Sequence, residues 1–193
     1  MVVMSSPLIE NQKYEGIDFI NEPLDLAEYE HCRFVGCNFS ELKLSDFIFM
    51  QCSFEQCNFS LVTFNNTALR EVRFLNCKLT GADFSHVHPF LLDLGFTHCQ
   101  LNYASFNQLK LKETQFEHCE MEEVDFTETD LSKSVFAHSN LNRALFYKTN
   151  LEKTDFRTAY NYSFDPDENR IKGAKFLNPA VLGLLAKYQI EID

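Results

Sequence analysis

The sequence has no tryptophan, only six glycines and five prolines, and a deficit of positive charge: 17 Lys and Arg against 28 Asp and Glu, for a net charge of −11. Each scarcity excludes something. The glycines, at 16, 36, 81, 95, 173 and 183, lie ten or more residues apart, so no glycine-rich phosphate loop can be assembled from them. A chain so poor in glycine and proline, and 45% hydrophobic, is not a low-complexity or disordered one. Without a cationic excess there is no footprint for phosphate binding, so direct nucleic-acid binding is not expected, and anionic membranes are disfavoured for the same reason.

Long apolar runs are missing too. The longest, Pro179 to Ala186, falls far short of the roughly 20 residues that span a bilayer, and the opening MVVMSSPLIENQ lacks the basic and apolar regions of a signal peptide. A cytoplasmic protein is expected. None of the seven cysteines forms a CxxC pair, so neither a disulfide framework nor a zinc site is the first reading. There is no HExxH, P-loop or nucleophile elbow. The expectation is a protein that is not an enzyme and holds no metal or cofactor.

What is abundant is phenylalanine, twenty residues of it, and its spacing is regular. A large apolar residue recurs at every fifth position from Tyr14 through Phe19, Leu24, Tyr29, Phe34, Phe39, Leu44, Phe49, Phe54, Phe59, Phe64, Leu69, Phe74 and Leu79 to Phe84. The frame then shifts by two and resumes at Leu91, Phe96, Leu101, Phe106, Leu111, Phe116, Met121, Phe126, Leu131, Phe136, Leu141, Phe146, Leu151 and Phe156. A period of five fits neither a helix nor a strand, so the chain direction must reset every five residues. Two positions before most centres stands a small or thin residue, such as Ala27, Cys32, Cys57, Val62, Thr67 or Ala104, which would face inward beside the centre.

Cysteine reveals how many such sides make a coil. Cys32 and Cys52 are 20 apart, as are Cys37, Cys57 and Cys77; Cys77 to Cys99 is 22, the frame shift included, and Cys99 to Cys119 is again 20. Four sides per coil follow. This sorts the centres into columns, one wholly aromatic (Tyr14, Phe34, Phe54, Phe74, Phe96, Phe116, Phe136, Phe156). Stacked parallel coils about 4.8 Å apart satisfy one another's backbone groups, giving an all-β solenoid with a filled interior and no cavity.

The ends and the interruption are also readable. Residues 1–13 are expected to form an N-terminal cap, 14–176 the repeats, and 177–193 a C-terminal cap. The two-residue insertion is placed within residues 85–90, where His86, Val87, His88, Pro89 and Phe90 form either a tolerated surface bulge or a bump that meets a partner. The pattern is irregular over 159–168 and recovers at Ile171 and Phe176. Asn178-Pro179 reads as an N-cap and first helical residue. A short helix from Ala180 to Tyr188 would carry Val181, Leu182, Leu184, Leu185 and Tyr188 on more than one face, so it either caps the last coil or caps and dimerises. Gln189 to Asp193 would be a short strand.

Two clusters invite chemistry and lose it on geometry. The cysteines all fall at the small inward position and read as packing residues. His98, His118 and His138 form an outward column, but parallel imidazoles on successive coils do not converge as a zinc ion requires. The Asn-Phe-Ser glycosylation-like triplets simply spell the repeat. There remains the acidic surface: between Glu113 and Asp130 lie Glu113, Glu117, Glu120, Glu122, Glu123, Asp125, Glu128 and Asp130 with no Lys or Arg, which on a four-sided coil would form a belt. It is either a solvated surface that keeps a rod soluble or a surface that binds a partner.

Segments such as Cys57-Asn58-Phe59-Ser60-Leu61, Ala82-Asp83-Phe84-Ser85, Val124-Asp125-Phe126-Thr127-Glu128 and Thr154-Asp155-Phe156-Arg157 resemble the pentapeptide repeat, and the resemblance extends over about residues 14 to 176. It implies a right-handed quadrilateral β-helix. Within that family the sequence, including its tail from Phe164 to Phe176, is most similar to the Qnr quinolone-resistance group and the related microcin immunity protein. That resemblance implies a rod-like acidic DNA mimic that binds type II topoisomerases, chiefly DNA gyrase, and dimerises through the C-terminal helix, with Val181, Leu182, Leu184, Leu185 and Tyr188 as interface residues. The longer loops that many of those proteins project are absent here. An interaction scaffold without a topoisomerase partner is the alternative.

Overall fold

In the computed structural model, residues 7–191 are described. The twenty-residue coil is realised as a register. Parallel ladders join Tyr14 to Phe34, Phe34 to Phe54 and Phe54 to Phe74, step by 22 from Phe74 to Phe96, and return to 20 from Phe96 to Phe116 and Phe136. Four faces result, numbered here by the columns that begin at Tyr14, Phe19, Leu24 and Tyr29. The first face is a seven-stranded sheet of Lys13–Glu15, Arg33–Val35, Ser53–Glu55, Val72–Leu75, Leu94–Thr97, Gln115–Glu117 and Val135–Ala137. The fourth begins as four strands, Leu8–Glu10, Glu28–Glu30, Ile48–Met50 and Ala68–Arg70, so the repeat reaches one side further toward the N-terminus than Tyr14. Single bridges continue every face, and on the first they run to Lys175. That makes eight steps from Tyr14 to Phe176, a rod about 38 Å long at the spacing of paired strands.

Each residue of the pentad has a physical task. The centres stack: Phe74 on Phe96 at 5.3 Å, Phe96 on Phe116 at 5.3 Å and Phe116 on Phe136 at 4.9 Å between ring centroids, with neighbouring columns meeting edge to face. The small inward residue is often a donor. Thr149 and Thr154 hydroxyls each donate to a carbonyl of the preceding coil at 2.8 Å, and the thiols of Cys52 and Cys77 do the same at 3.3 and 3.2 Å. Thiol and hydroxyl are interchangeable in this role, which is why cysteine, serine and threonine share the column. All seven thiols are buried and free, and burial pushes the Cys52 thiol up to about 12.

The residue before the centre is commonly Asn or Asp because its side chain braces the next turn. Asn38, Asn58, Asp83 and Asp125 accept the backbone N–H two residues on at 3.1, 3.1, 2.9 and 2.8 Å. The Asn-Phe-Ser triplets are these turns. Two positions after the centre the backbone turns left-handed, as at Gln56 (φ 54°), Asn76 (52°) and His118 (52°), and none of the non-glycine residues in that conformation is Val, Ile or Thr.

The insertion lies later than the sequence reading placed it. His86, Val87 and His88 keep the twenty-residue register: His86 accepts from Asn66, Val87 is buried, and His88 bridges Ala68. The offset has become 22 by Leu94, which pairs with Val72 while Asp93 accepts from the Val72 N–H at 2.9 Å, so the two extra residues fall between His88 and Leu94. Leu91, counted as an inward centre from its distance to Phe96, instead points out, 64% exposed at φ 58°, beside Phe90 at 61%. Pro89 has no N–H for the ladder, and the chain leaves it there. Leu94 and Leu109 are buried at the position two before the centre, which is small in most pentads though Phe47 also occupies it, and they add core volume beside the gap.

At the C-terminus the helix over Ala180–Tyr188 is of the 3-10 type. Its N-cap is Pro179, with no side-chain cap bond, not Asn178. It lies directly on the last coil: a side chain at Gly183 would collide with the Tyr162 carbonyl oxygen. Tyr162 and Phe164 are buried at this end of the core, as is Leu184 of the helix itself. Lys187 ties the helix down through Asp165 and Asp167, both at 2.6 Å, holding Asp165 below the usual carboxylate range. Gln189 to Glu191 form no strand, and the remaining two residues of the expected strand lie outside the described residues.

Candidate partner-binding surface

Three of every five residues face solvent, so each face is a stripe whose composition can be read by stepping twenty residues. The first is nearly neutral, with its charges paired along it, as Arg33 with Glu55 at 2.6 Å. The second carries Asp18, Glu41, Glu120, Glu122 and Glu123 against Lys78 and Arg143; the third carries Asp25, Asp46, Asp83, Asp125 and Glu128 against Lys43 and Lys148, and Asp165, Asp167 and Glu168 extend it. The fourth is divided. Below the insertion it holds Glu10, Glu28, Glu30 and Glu71 with Arg70; above it, Lys110, Lys112, Lys133, Lys153, Arg170 and Lys172 with Glu113, Asp130 and Glu152.

The eight carboxylates singled out in the sequence do encircle one coil. Glu113 sits at the corner leaving the fourth face, Glu117 on the first, Glu120, Glu122 and Glu123 on the second, Asp125 and Glu128 on the third, and Asp130 on the fourth. Neighbouring coils answer some of them. Lys133 binds Glu113 at 2.6 Å, Arg143 binds Glu123 at 3.1 Å and Lys112 binds Asp130 at 3.4 Å. Lys133 holds Glu113 below the usual carboxylate range; burial pushes Asp130 up, but bonds from Ser132 and Lys112 outweigh it and leave it low. Asn140 and Asn142 donate to Glu120 and Glu122, both at 2.9 Å. Among the described residues Glu117, Glu120, Glu122, Asp125 and Glu128 have no Lys or Arg partner within 4.0 Å. The belt is therefore not one anionic face; the second and third faces together make an interrupted acidic strip, with no Asp or Glu over 57–66 and 99–108 and only Arg143 and Lys148 charged over 139–148.

The histidine column is stacked and exposed, His98 on His118 and His118 on His138 each at 4.8 Å and nearly parallel. Among the described residues no group of His, Cys, Asp and Glu is arranged to hold a metal ion. On the cap helix, Leu184 packs into its own chain and Val181 lies against that core, while Leu182, Leu185 and Tyr188 are exposed together with Leu177 and Ile190. Of the candidate bump, Phe90 is the exposed apolar member and Val87 is buried; Leu177, Ile190 and Leu91 are outward apolar groups that the sequence did not single out. Arg70 lies 5.6 Å from the Phe90 ring centroid, and no described helix is long and apolar enough to cross a membrane.

Among solved structures, a trypsin-treated variant of QnrB1, described as a plasmid-mediated fluoroquinolone resistance protein, is similar over 97% of this chain and 99% of its own, at 17% identity and a TM-score of 0.63. A second trypsin-treated QnrB1 variant matches over 96% and 100% at the same identity and score, and full-length QnrB1 over 95% and 100% at 18% and 0.57. No curated protein sequence matches. The pentapeptide repeat region family matches residues 27–89 and 90–160. With a five-residue period built into four parallel faces along its length, the chain belongs to the pentapeptide repeat family.

Proposed function

We propose that this protein binds a type II topoisomerase, DNA gyrase in the first place and topoisomerase IV as a second target, and protects it from quinolones or other gyrase poisons. It does so as a cytoplasmic homodimer joined through the C-terminal segment. The observation that carries this reading is the acidic strip on the second and third faces of a rigid, fully packed rod. Duplex DNA presents about one charge per 1.7 Å, so about 38 Å of it carries roughly 22. Once Lys43, Lys78, Arg143 and Lys148 are set against its carboxylates, the strip supplies a net charge of fewer than half of that, which makes it a diluted imitation whose shape must contribute. The similarity in fold to a fluoroquinolone resistance protein supports the same reading. Glu120, Glu122, Glu123 and Asp125 are the central contacts, and the exposed knob at Phe90 and Leu91 is a second one. Leu182, Leu185 and Tyr188 form the dimer contact, with Val181 and Leu184 holding the helix in place.

The test is a supercoiling assay with purified gyrase, with and without ciprofloxacin. The wild-type protein should restore activity under the drug, and combined reversal of Glu120, Glu122, Glu123 and Asp125 to Lys should reduce the rescue at least tenfold. No rescue and no salt-sensitive binding would overturn the proposal. At about 1 M salt, where the Debye length is about 3 Å, Leu182→Asp with Leu185→Asp should convert dimer to monomer. The second reading, an interaction scaffold without a topoisomerase, is favoured by the neutralisation of Glu113, Glu123 and Asp130 within the chain.

A further inference from the structure

The fourth face is dipolar, with five rungs below the insertion and four above it, so an antiparallel pairing covers all but the Leu8 rung. Its ladder runs from Leu8 through Glu28, Ile48 and Ala68 to His88, four steps, and resumes from Lys110 through Asp130 and Asn150 to Arg170. Acidic residues dominate below the insertion and basic residues above it. A second copy laid antiparallel on the same face therefore brings acid against base in both halves at once, the self-complementarity that a two-fold interface requires.

Register decides whether this holds residue by residue. With the two-fold axis midway between the His88 and Lys110 rungs, Glu28 faces Arg170, Ile48 faces Asn150, Ala68 faces Asp130 and His88 faces Lys110. One position before the corner Glu30 faces Lys172, and at the corner Glu71 faces Lys133. No two Lys or Arg, and no two Asp or Glu, stand opposite one another on these rungs. Moving the axis down by half a step sets Arg70 against Lys112 and Glu71 against Glu113; moving it up by half a step sets Lys110 and Lys112 against themselves. In the favourable register the knobs do not collide: Phe90 lies over Lys112 of the other copy, an aliphatic stem and a cation for an exposed ring.

We propose that this protein forms a second, lateral homodimer by antiparallel packing of its fourth faces about an axis between the His88 and Lys110 rungs. It is independent of the topoisomerase reading and of the C-terminal contact. The face is about 10 Å wide and the overlap about 34 Å long, small for a stable interface, so the pair is weak and salt-labile. It covers the knob, and a protein held in this pair does not offer Phe90 and Leu91 to another partner.

The experiment uses the full chain carrying Leu182→Asp and Leu185→Asp, which silences the C-terminal contact, with mass read by light scattering. At about 0.01 M ionic strength the mass should be that of a dimer, falling to the monomer at about 1 M. Glu28→Lys with Glu30→Lys should give monomers at low salt, and so should Arg170→Glu with Lys172→Glu, both with unchanged circular dichroism. Mixing the two variants should restore the dimer, because each reversed pair then meets its complement, and so should all four substitutions in one chain. A monomer at low salt in the starting protein, a dimer indifferent to the reversals, or variants that stay apart on mixing would each overturn the proposal. No enzyme enters the assay, so failure here leaves the gyrase test unaffected.

Discussion

The coils below the insertion and those above it follow the same five-residue rule and build different corners. Below, strands form on the first, third and fourth faces, including Lys43–Ser45 and Thr63–Asn65; above, only the first face has them. The upper corners are instead closed by a bond from the N–H three residues beyond the centre to the centre's own carbonyl, as from Ser134 to Leu131 at 3.0 Å and Thr154 to Leu151 at 3.1 Å. Below, such closed corners are confined largely to the second face, as from Ala82 to Leu79 at 3.0 Å. None of the seven cysteines occupies a closed corner. The fourth column changes in step, from Tyr29, Phe49 and Leu69 to Leu111, Leu131 and Leu151. Yet the bonds between coils are alike, Asn58 to Cys37 and Asp125 to Ala104 both at 3.0 Å. Strand content is therefore not what holds the rod; the stacked core and the coil-to-coil bonds are.

Three measurements would break or sharpen that comparison. If the stack is the common support, Phe54→Ala below and Phe116→Ala above should each cost about 3–5 kcal/mol in urea denaturation. A cost above the insertion less than half of that below would return the main role to the strands. Next in size is the inward donor. Thr149→Val removes the hydroxyl donor from the buried Phe126 carbonyl, which keeps the Thr129 N–H, and should cost about 0.5–1.5 kcal/mol, whereas Cys57→Ser keeps a donor and should cost less. Equal losses would show that the column needs only volume.

The smallest effect concerns pH. Above the insertion Glu113, Asp130, Asp155 and Asp165 are held low; below it Glu15 and Glu55 are. A depressed carboxyl stabilises the fold above its unfolded value near pH 4 and loses that contribution as pH falls through its native value. Amide protection, taken relative to the intrinsic exchange rate at each pH, should therefore fall more in the upper coils between neutrality and about pH 3. These groups are largely exposed, so the difference should be modest. A uniform or reversed fall in protection would show that the ion pairs do not distinguish the halves.

Much of this architecture was legible because the core is written twice, in the centres and in the small residues before them. The cysteine spacing set the coil length because a donor column must repeat at coil distance. Leu91 misled because a five-residue step back from Phe96 is also satisfied by a residue thrown outward, and the buried Leu94 and Leu109 at normally small positions were the missed signal. The acidic belt was legible as a cluster, but its partners Lys133 and Arg143 lie twenty residues on, invisible to a local reading. The cap helix showed its apolar residues but not their division, because which of Leu182, Leu184 and Leu185 turns inward depends on where Gly183 meets Tyr162.

The left-handed corner and the inward pair constrain the chain loosely and the remaining surface hardly at all. Two residues in five carry the fold, and each accepts several side chains, so most of the sequence is free to drift while the cross-section stays the same. That accounts for a structural neighbour aligned over 97% of the chain sharing only 17% of its residues. It also means that a surface stripe can be rewritten by single substitutions scattered at intervals of twenty, each harmless to folding. Selection on such a molecule acts on an almost blank sheet ruled at fixed spacing, where ancestry fades quickly from the text and persists in the ruling.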